Sequence, residues 1–299
     1  MNGIKNGPLE RWTYKDSAEL YGVHEWAAGY FDVSEKGEVV VKPKGAAGAA
    51  VSLMDIVGGL KARGLNAPVL LRFGDILESR IAVINDAFGR VMRESGYKGE
   101  FRGVYPVKVN QQEHVIEEIV NFGRRYHHGL EVGSKAELIA AMAYMQDPDA
   151  FLICNGYKDE EFVRLALFAH KMGLKVFIVI EMNSELSLIL DQARALNVVP
   201  DIGVRVKLSS RSGGHWTESG GDRSVFGLTT SEIIDLVDKL KQNKMLHCLK
   251  MLHYHVGSQV PNIRNIRSAI QEACRFYVDL VKEGAPMGIL DVGGGLAVD

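Results

Sequence analysis

The sequence predicts an α/β protein built on a parallel sheet of the (β/α)8 TIM-barrel type, incomplete at its C-terminus and preceded by a small β-containing segment. From residue 103 onward, short apolar runs bounded by Gly, Pro or Asn alternate with longer amphipathic stretches. This βαβα order with right-handed crossovers generates a parallel sheet. About seven strands are predicted and the pattern still repeats at residue 299, so the chain is expected to stop one strand short of a closed barrel.

Composition narrows the class of protein. The chain has 299 residues with 46% hydrophobic and 24% charged side chains, as in ordinary globular proteins. Its 35 Lys and Arg against 37 Asp and Glu give a net charge of −2, so neither a nucleic-acid partner nor a membrane surface is expected. No apolar run reaches the roughly 18 residues of a membrane span. Three widely spaced cysteines in apolar surroundings indicate buried thiols and a cytoplasmic location.

The lead-in is predicted to span residues 1–68. Glycines at positions 22, 29 and 37 divide residues 12–41 into short pieces with β character, and residues 52–63 have the apolar spacing of a helix. The run at 68–73 then predicts a short buried strand, with Asp75 capping the helix that follows.

From residue 103 onward, the sequence predicts seven strands and the six helices between them. Strands are predicted at 103–109, 129–132, 151–155, 175–180, 202–207, 250–256 and 288–292, and the helices between them at 113–125, 134–145, 159–172, 184–196, 231–242 and 264–283. An open doubly wound sheet of seven strands is the alternative. It would place polar residues at one switch point, whereas here they follow nearly every strand.

Polar side chains stand at the C-terminal ends of the predicted strands: Lys108, Glu131, Asn155, Glu181, Arg205, His253, His255 and Asp291. In a barrel these ends line one mouth, where active sites are built. Lys108 ends an apolar strand, where partial desolvation would favour the neutral amine that condenses with a carbonyl. Taken alone, a solvated strand-end lysine is the simpler interpretation.

Further motifs extend this site. Gly293, Gly294 and Gly295 follow an apolar strand, and their N–H groups could approach an anion closely, although a tight turn explains them equally well. His253 and His255 share one face of a strand and could hold a metal. The preferred interpretation places the His255 ring over a planar cofactor with the Ser258 hydroxyl near its phosphate, and a core role for His253 is as plausible.

Two other segments are ambiguous. Residues 209–222 are too polar and glycine-rich for a strand or helix, and predict either a specificity loop or an ordinary exposed loop. Ser134 and Glu137 form a helix-capping pattern that accounts for both residues but leaves Glu131 unexplained.

Four motifs in this order resemble the pyridoxal-phosphate decarboxylases of the alanine-racemase fold: YPVKVNQ (105–111), EVGSKAEL (131–138), HVGSQ (255–259) and DVGGGL (291–296). The resemblance covers essentially the whole chain. Within the family, the lead-in around Trp12, Trp26 and Phe31 and the run LRFGDIL (71–77) resemble the arginine-specific branch, and ornithine and diaminopimelate decarboxylases lack them.

The resemblance implies a role for each motif. Lys108 would carry pyridoxal 5'-phosphate (PLP) covalently, His255 would stack on its ring, and Arg205 would lie near its phenolic oxygen. The phosphate would be bound by Ser258, Gly293, Gly294 and Gly295, and the substrate would contact Glu131, Asp291, Val292 and Leu296. Lys108 and His255 are the implied catalytic residues.

The implied reaction is the decarboxylation of L-arginine to agmatine and CO2, a first step toward putrescine and spermidine, in a homo-oligomer. Mg²⁺ is also associated with this branch, and no spacing in the sequence indicates its site. Residues 69–299 would form the PLP-binding barrel, with the family's C-terminal β domain outside this chain. Relatives use that domain for substrate binding, so these residues alone are expected to be inactive.

Some alternatives stay open at this point. Val225 occupies a position where relatives commonly carry lysine. Decarboxylation of ornithine, lysine or diaminopimelate, amino-acid racemisation, PLP binding without catalysis and metal-dependent hydrolysis are the competing functions.

Overall fold

The computed structural model describes residues 11–45, 48–209 and 224–297. The chain divides into two compact units, one ending at Arg90 and one beginning at Val91. The predicted boundary between lead-in and barrel, at residues 68 and 69, stays a prediction. Within the described residues, no helix has both the length and the apolar character needed to cross a membrane.

The first unit contains a small antiparallel sheet, as predicted. Its elements are α1 (Tyr14–Leu20), α2 (Val23–Trp26), β1 (Phe31–Val33), β2 (Val39–Val41), β3 (Val51–Ser52) and α3 (Leu53–Ala62), with the strands in the order β1-β2-β3. Thr13 caps α1 through a reciprocal capping box with Asp16, and Ser52 caps α3. Ala18, Val23, Ala27 and Val33 form the small core beneath the sheet. Helix α4 (Gly74–Ser95) leads from this unit into the second.

The strand predicted at residues 68–73 is wrong. None of the described strands pairs with this run, and two of its apolar side chains are exposed, Val69 at 42% and Leu70 at 74%. A strand requires a hydrogen-bonded neighbour, and apolar composition alone does not supply one. Helix α4 already begins at Gly74, so Asp75 lies in its first turn instead of at the cap.

The second unit is a curled, seven-stranded parallel sheet. Its strands are β4 (Val104–Pro106), β5 (Gly129–Val132), β6 (Phe151–Cys154), β7 (Lys175–Ile180), β8 (Asp201–Arg205), β9 (Leu249–His253) and β10 (Ile289–Asp291). Its helices are α5 (Glu113–Gly123), α6 (Lys135–Tyr144), α7 (Glu160–Lys171), α8 (Glu185–Leu196), α9 (Thr230–Gln242) and α10 (Ile263–Lys282). Each strand pairs with the next in the chain, so the order has no switch point. The barrel-type prediction is confirmed and the doubly wound alternative is wrong.

The strand register places the polar strand ends on one side of the sheet. The concave core is formed by Ile153, Phe177, Val179 and Met251. Glu131 pairs with Ile153, so it faces this core. Arg205 pairs with His253, which in turn pairs with Asp291. These polar residues therefore point inward at the C-terminal ends of the strands, as the sequence predicts.

Three strands end two or more residues earlier than predicted. β4 stops at Pro106, and Val107–Val109 forms a 3-10 turn that carries Lys108. Strict alternation would put Val107 and Val109 on one face, yet Val107 is 2% exposed and Val109 68%. β8 stops at Arg205, beyond which only an isolated bridge joins Val206 to Leu228, and β9 stops at His253.

Candidate active site

The centre of the mouth is a row of charged side chains at the ends of β7, β8, β9 and β10. Arg205 donates from Nη1 to Glu181 Oε1 at 2.9 Å, and both side chains are buried or nearly so. The Arg205 guanidinium also lies over the Phe226 ring, 5.3 Å from its centroid. Arg205 is thus held from two sides and has little rotational freedom.

His253 and Asp291 form the other end of this row. His253 Nδ1 lies 2.9 Å from Asp291 Oδ2, but the angle falls outside hydrogen-bond geometry. Asp291 Oδ1 accepts the Gly293 N–H at 2.9 Å. Burial raises the pKa of Asp291, but the neighbouring His253 and the Gly293 N–H outweigh it and leave the pKa below its usual value. Asp291 is therefore a carboxylate at neutral pH and orients the start of the glycine run.

Lys108 lies beside Glu131, with Nζ 3.8 Å from Glu131 Oε1. The Lys108 side chain is 67% exposed and that of Glu131 16% exposed. The predicted desolvation of Lys108 is therefore wrong, because the 3-10 turn rotates the residue out of the apolar strand. The amine remains open to a carbonyl that enters the mouth, with one carboxylate at its side.

His255 is held as a neutral imidazole. Burial lowers its pKa to about 4, the neighbouring Arg205, His253 and Lys108 side chains act in the same direction, and Asp291 acts against them. A neutral ring can lie on an electron-poor aromatic ring without adding charge repulsion. Because Arg205 and Lys108 influence the pKa of His255, both side chains lie near this ring.

This neutral state gives the folded chain a defined pH dependence. The pKa of His255 falls from 6.5 to about 4 on folding, so the unfolded chain binds more protons between these values. We expect the free energy of unfolding to decrease as the pH falls from 6.5 towards 4, by at most about 1.4 kcal/mol per pH unit per histidine. Chemical denaturation at several pH values should show a shallower dependence for His255→Gln.

Two other histidines bear on this measurement. His128, whose pKa burial also lowers to about 4, contributes a similar dependence that remains in His255→Gln. The exposed His247 offers a matched control, and His247→Gln should keep the parent's dependence. Identical curves for His255→Gln and the parent would contradict a neutral, partly buried His255.

The glycine run at 293–295, called the cradle below, leaves no room for a side chain at two of its three positions. Gly293 has φ +64° and Gly295 φ +99°, in the left-handed region. A Cβ on Gly293 would collide with the Tyr254 carbonyl, and one on Gly295 with the Gly257 carbonyl. A Cβ on Gly294 would meet none of the described atoms within 4 Å. The backbone at 293 and 295 therefore requires glycine for both conformation and space.

The loop after β9 lies against this cradle. Val260 donates its N–H to the Gly295 carbonyl at 2.9 Å, and an isolated bridge joins Val260 to Leu296. Ser258 sits in this loop and is exposed. Val292 and Leu296 are also exposed, at 38% and 67%. The structure thus brings the Ser258 loop and the glycine run together.

Sequence reasoning missed two charged residues beneath the mouth. The side chains of Lys158 and Glu185 are 0% and 1% exposed, with Lys158 Nζ 3.5 Å from Glu185 Oε2. In the sequence Lys158 looks like a loop residue and Glu185 like an ordinary first-turn acid of α8. Nothing in their spacing indicates that they meet.

The remaining predictions concern metals, capping and a loop. Among the described residues, only His127, Asp147 and Asp149 have the geometry of a metal cluster, so the metal-site alternative for His253 and His255 is not supported.

Ser134 caps α6 as predicted. Glu137 does not complete the box, because its carboxylate accepts from the Gly133 N–H and the Gln111 amide. Positions 210–222 of the predicted loop lie outside the described residues.

Taken together, these features define a barrel-type domain with an accessible amine, a neutral ring and a glycine run without room for side chains at two of its positions, all at one mouth. The pyridoxal binding domain of pyridoxal-dependent decarboxylases matches residues 81–299. The chain belongs to this family of PLP-binding proteins.

Individual relatives agree with this assignment. The biosynthetic arginine decarboxylase of Gloeobacter violaceus is 48% identical over 97% of this chain and 45% of its own length. That of Phocaeicola vulgatus is 47% identical over 97% of this chain and 46% of its own. This chain therefore spans about half the length of the curated relatives that it matches.

Solved structures show the same fold. The biosynthetic arginine decarboxylase of Campylobacter jejuni superposes with a TM-score of 0.83 at 37% identity, over 93% of this chain and 45% of that one. A diaminopimelate decarboxylase from M. jannaschii gives a TM-score of 0.69 at 20% identity, over 90% of this chain and 57% of that one. At that lower identity the likeness concerns the fold alone.

Proposed function

We propose that this chain supplies the PLP-binding part of an arginine decarboxylase, which converts L-arginine to agmatine and CO2. The observation that carries the proposal is the convergence of Lys108, His255 and the cradle at Gly293–295 on one barrel mouth, in a chain 48% identical to a biosynthetic arginine decarboxylase. Because the chain spans about half of that relative, the activity is proposed for the whole protein.

The residues at the mouth fit PLP. Lys108 offers an accessible amine, His255 offers a neutral ring, and the cradle offers N–H groups on a backbone that only glycine allows at positions 293 and 295. When bound, PLP supplies an aldehyde that links covalently to an amine and a ring that withdraws electrons from the breaking bond to the carboxylate. Mg²⁺ stays a prediction from the resemblance.

We assign the following tasks to the chain's own residues. Lys108 would hold the cofactor through its side-chain amine. Glu131, whose Oε1 lies 3.8 Å from Lys108 Nζ, would stabilise a proton held at that amine. His255 covers one face of the ring and excludes water there, and Arg205 lies near the phenolic oxygen.

We assign the binding of phosphate and substrate to residues at the edge of the mouth. The N–H groups of Gly293, Gly294 and Gly295 and the Ser258 hydroxyl hold the phosphate. Glu131, Asp291, Val292 and Leu296 contact the substrate. The lowered pKa of Asp291 keeps it charged, which suits a cationic substrate such as arginine.

Substrate choice can be tested with the full-length protein loaded with PLP. CO2 release should be measured with L-arginine, L-ornithine, L-lysine and diaminopimelate. A site built to hydrogen-bond a guanidinium rejects amines that lack it, so we expect kcat/KM for arginine to exceed the others by roughly 100-fold or more. Faster turnover of another amino acid, or racemisation without CO2 release, would identify one of the alternative functions.

We further propose a cytoplasmic homo-oligomer that acts on a small molecule and not on a nucleic acid or a membrane. Cys154, Cys248 and Cys274 are all free thiols, as a reducing compartment favours. The predicted burial is correct for Cys154 and Cys248 and wrong for Cys274, which is exposed. Size-exclusion chromatography with light scattering of the full-length protein measures the oligomeric state directly.

A further inference from the structure

The buried pair Lys158 and Glu185 lies directly behind the charged row of the mouth. The two side chains are 0% and 1% exposed. Burying two charges costs several kcal/mol per ion, and an apolar pair of similar volume is often as stable or more stable. Burial also lowers the pKa of Lys158, while Glu185 and Glu181 act against this. Stability alone is therefore a weak explanation for this pair.

Glu185 ties two strand ends together. Its Oε1 accepts the Lys158 N–H at 3.0 Å, in the loop after β6. Its Oε2 accepts the Glu181 N–H at 2.8 Å and the Met182 N–H at 3.3 Å, at the end of β7. The Lys158 ammonium balances this carboxylate and donates to the Gly156 carbonyl at 2.6 Å. The pair thus fixes the backbone at the point where Glu181 leaves the strand.

Glu181 transmits this position to the mouth. Its Oε1 accepts from Arg205 at 2.9 Å, whereas its buried Oε2 has no hydrogen-bond partner in the described part of the chain. A carboxylate that is 1% exposed and bonded through one oxygen depends on its backbone for its direction. The charges therefore alternate from Glu185 through Lys158 and Glu181 to Arg205.

We propose that Lys158 and Glu185 are positioning residues that hold Glu181, and through it Arg205, in the orientation that receives the cofactor. This inference rests on the proposed function, because it takes Arg205 as a cofactor contact. It assigns the pair no contact with substrate or PLP. Its consequence is that the pair affects PLP binding only while Arg205 is present.

A double-mutant cycle in the full-length protein tests this dependence. Lys158→Met and Glu185→Gln are combined, so that no single buried charge is left unpaired, and this double variant is crossed with Arg205→Ala. The readout is the dissociation constant of PLP, measured by absorbance titration of the cofactor-free protein. We expect about tenfold weaker binding in the Arg205 background and less than about twofold in the Arg205→Ala background.

The controls separate positioning from folding. Lys135 and Glu161 form an exposed ion pair at 2.7 Å, so Lys135→Met with Glu161→Gln should leave PLP affinity unchanged. Circular dichroism checks that each variant folds. If the buried double variant does not fold, Glu181→Gln takes its place, since it leaves the buried pair intact. The proposal then requires the same weakening and the same dependence on Arg205.

Equal effects of the pair in both backgrounds, or parent-like affinity of Glu181→Gln, would overturn the proposal. An Arg205→Ala variant with parent affinity would overturn it as well. Borohydride reduction and peptide mapping of each protein report separately on Lys108. If Lys108 forms the adduct but the effect of the pair does not depend on Arg205, this inference is wrong and the proposed function is unaffected. If the parent protein forms no adduct, the proposed function itself is wrong.

Discussion

Lys108→Ala is expected to abolish covalent attachment of PLP to this protein. Lys108 is the accessible lysine at the mouth, on the 3-10 turn after β4 and 3.8 Å from Glu131. Among the described residues, Lys108 is the lysine that acts on the pKa of His255. The purified protein should be incubated with PLP, reduced with borohydride and mapped by mass spectrometry, with the adduct expected on the peptide that carries Lys108.

Two other lysines serve as references for this experiment. Lys135 is partly exposed but bound by Asp159 and Glu161, so Lys135→Ala should keep the Lys108 adduct. Lys158 is fully buried and should stay unmodified. An adduct in full-length protein but not in residues 1–299 would show that the site needs the rest of the enzyme. Absence from the full-length protein, or an adduct that persists in Lys108→Ala, would refute the assignment.

The sequence predicts the barrel well because the alternation of apolar runs and amphipathic stretches has one physical cause. Parallel strands buried on both faces are continuous apolar runs, and the crossover helices between them are amphipathic. This pattern locates all seven strands of the second unit to within a few residues. The polar residues Glu131, Arg205 and Asp291 interrupt these runs only at their ends, which is why their common position at the mouth can be read from the sequence.

The wrong or missed predictions have physical causes that a sequence pattern does not report. The run at 68–73 is as apolar as a strand but has no pairing partner among the described strands. Lys108 leaves its strand because the chain turns at Val107, which a period-two pattern does not report. Lys158 and Glu185 lie 27 positions apart and meet only through the adjacency of β6 and β7. Such long-range pairs require the folded structure.

Gly295→Ala is expected to remove the phosphate-binding capacity of the cradle. At φ +99° alanine is strained, and its Cβ would overlap the Gly257 carbonyl, which is backbone and cannot rotate away. The loop would have to move, and with it the Val260 N–H bond to the Gly295 carbonyl. Losing two backbone bonds to a charged phosphate corresponds to roughly 100-fold weaker PLP binding.

Gly288→Ala provides the matched control, because Gly288 lies directly before β10 and outside the residues assigned to the phosphate. Its Cβ would meet none of the described atoms within 4 Å, and its φ is not in the left-handed region. We therefore expect its dissociation constant for PLP to stay within about threefold of the parent's. Titration of both variants with PLP, alongside thermal unfolding without it, separates a lost cradle from general destabilisation. Equal weakening by both substitutions would show that any added side chain near β10 weakens PLP binding, and parent affinity of Gly295→Ala would place the phosphate elsewhere.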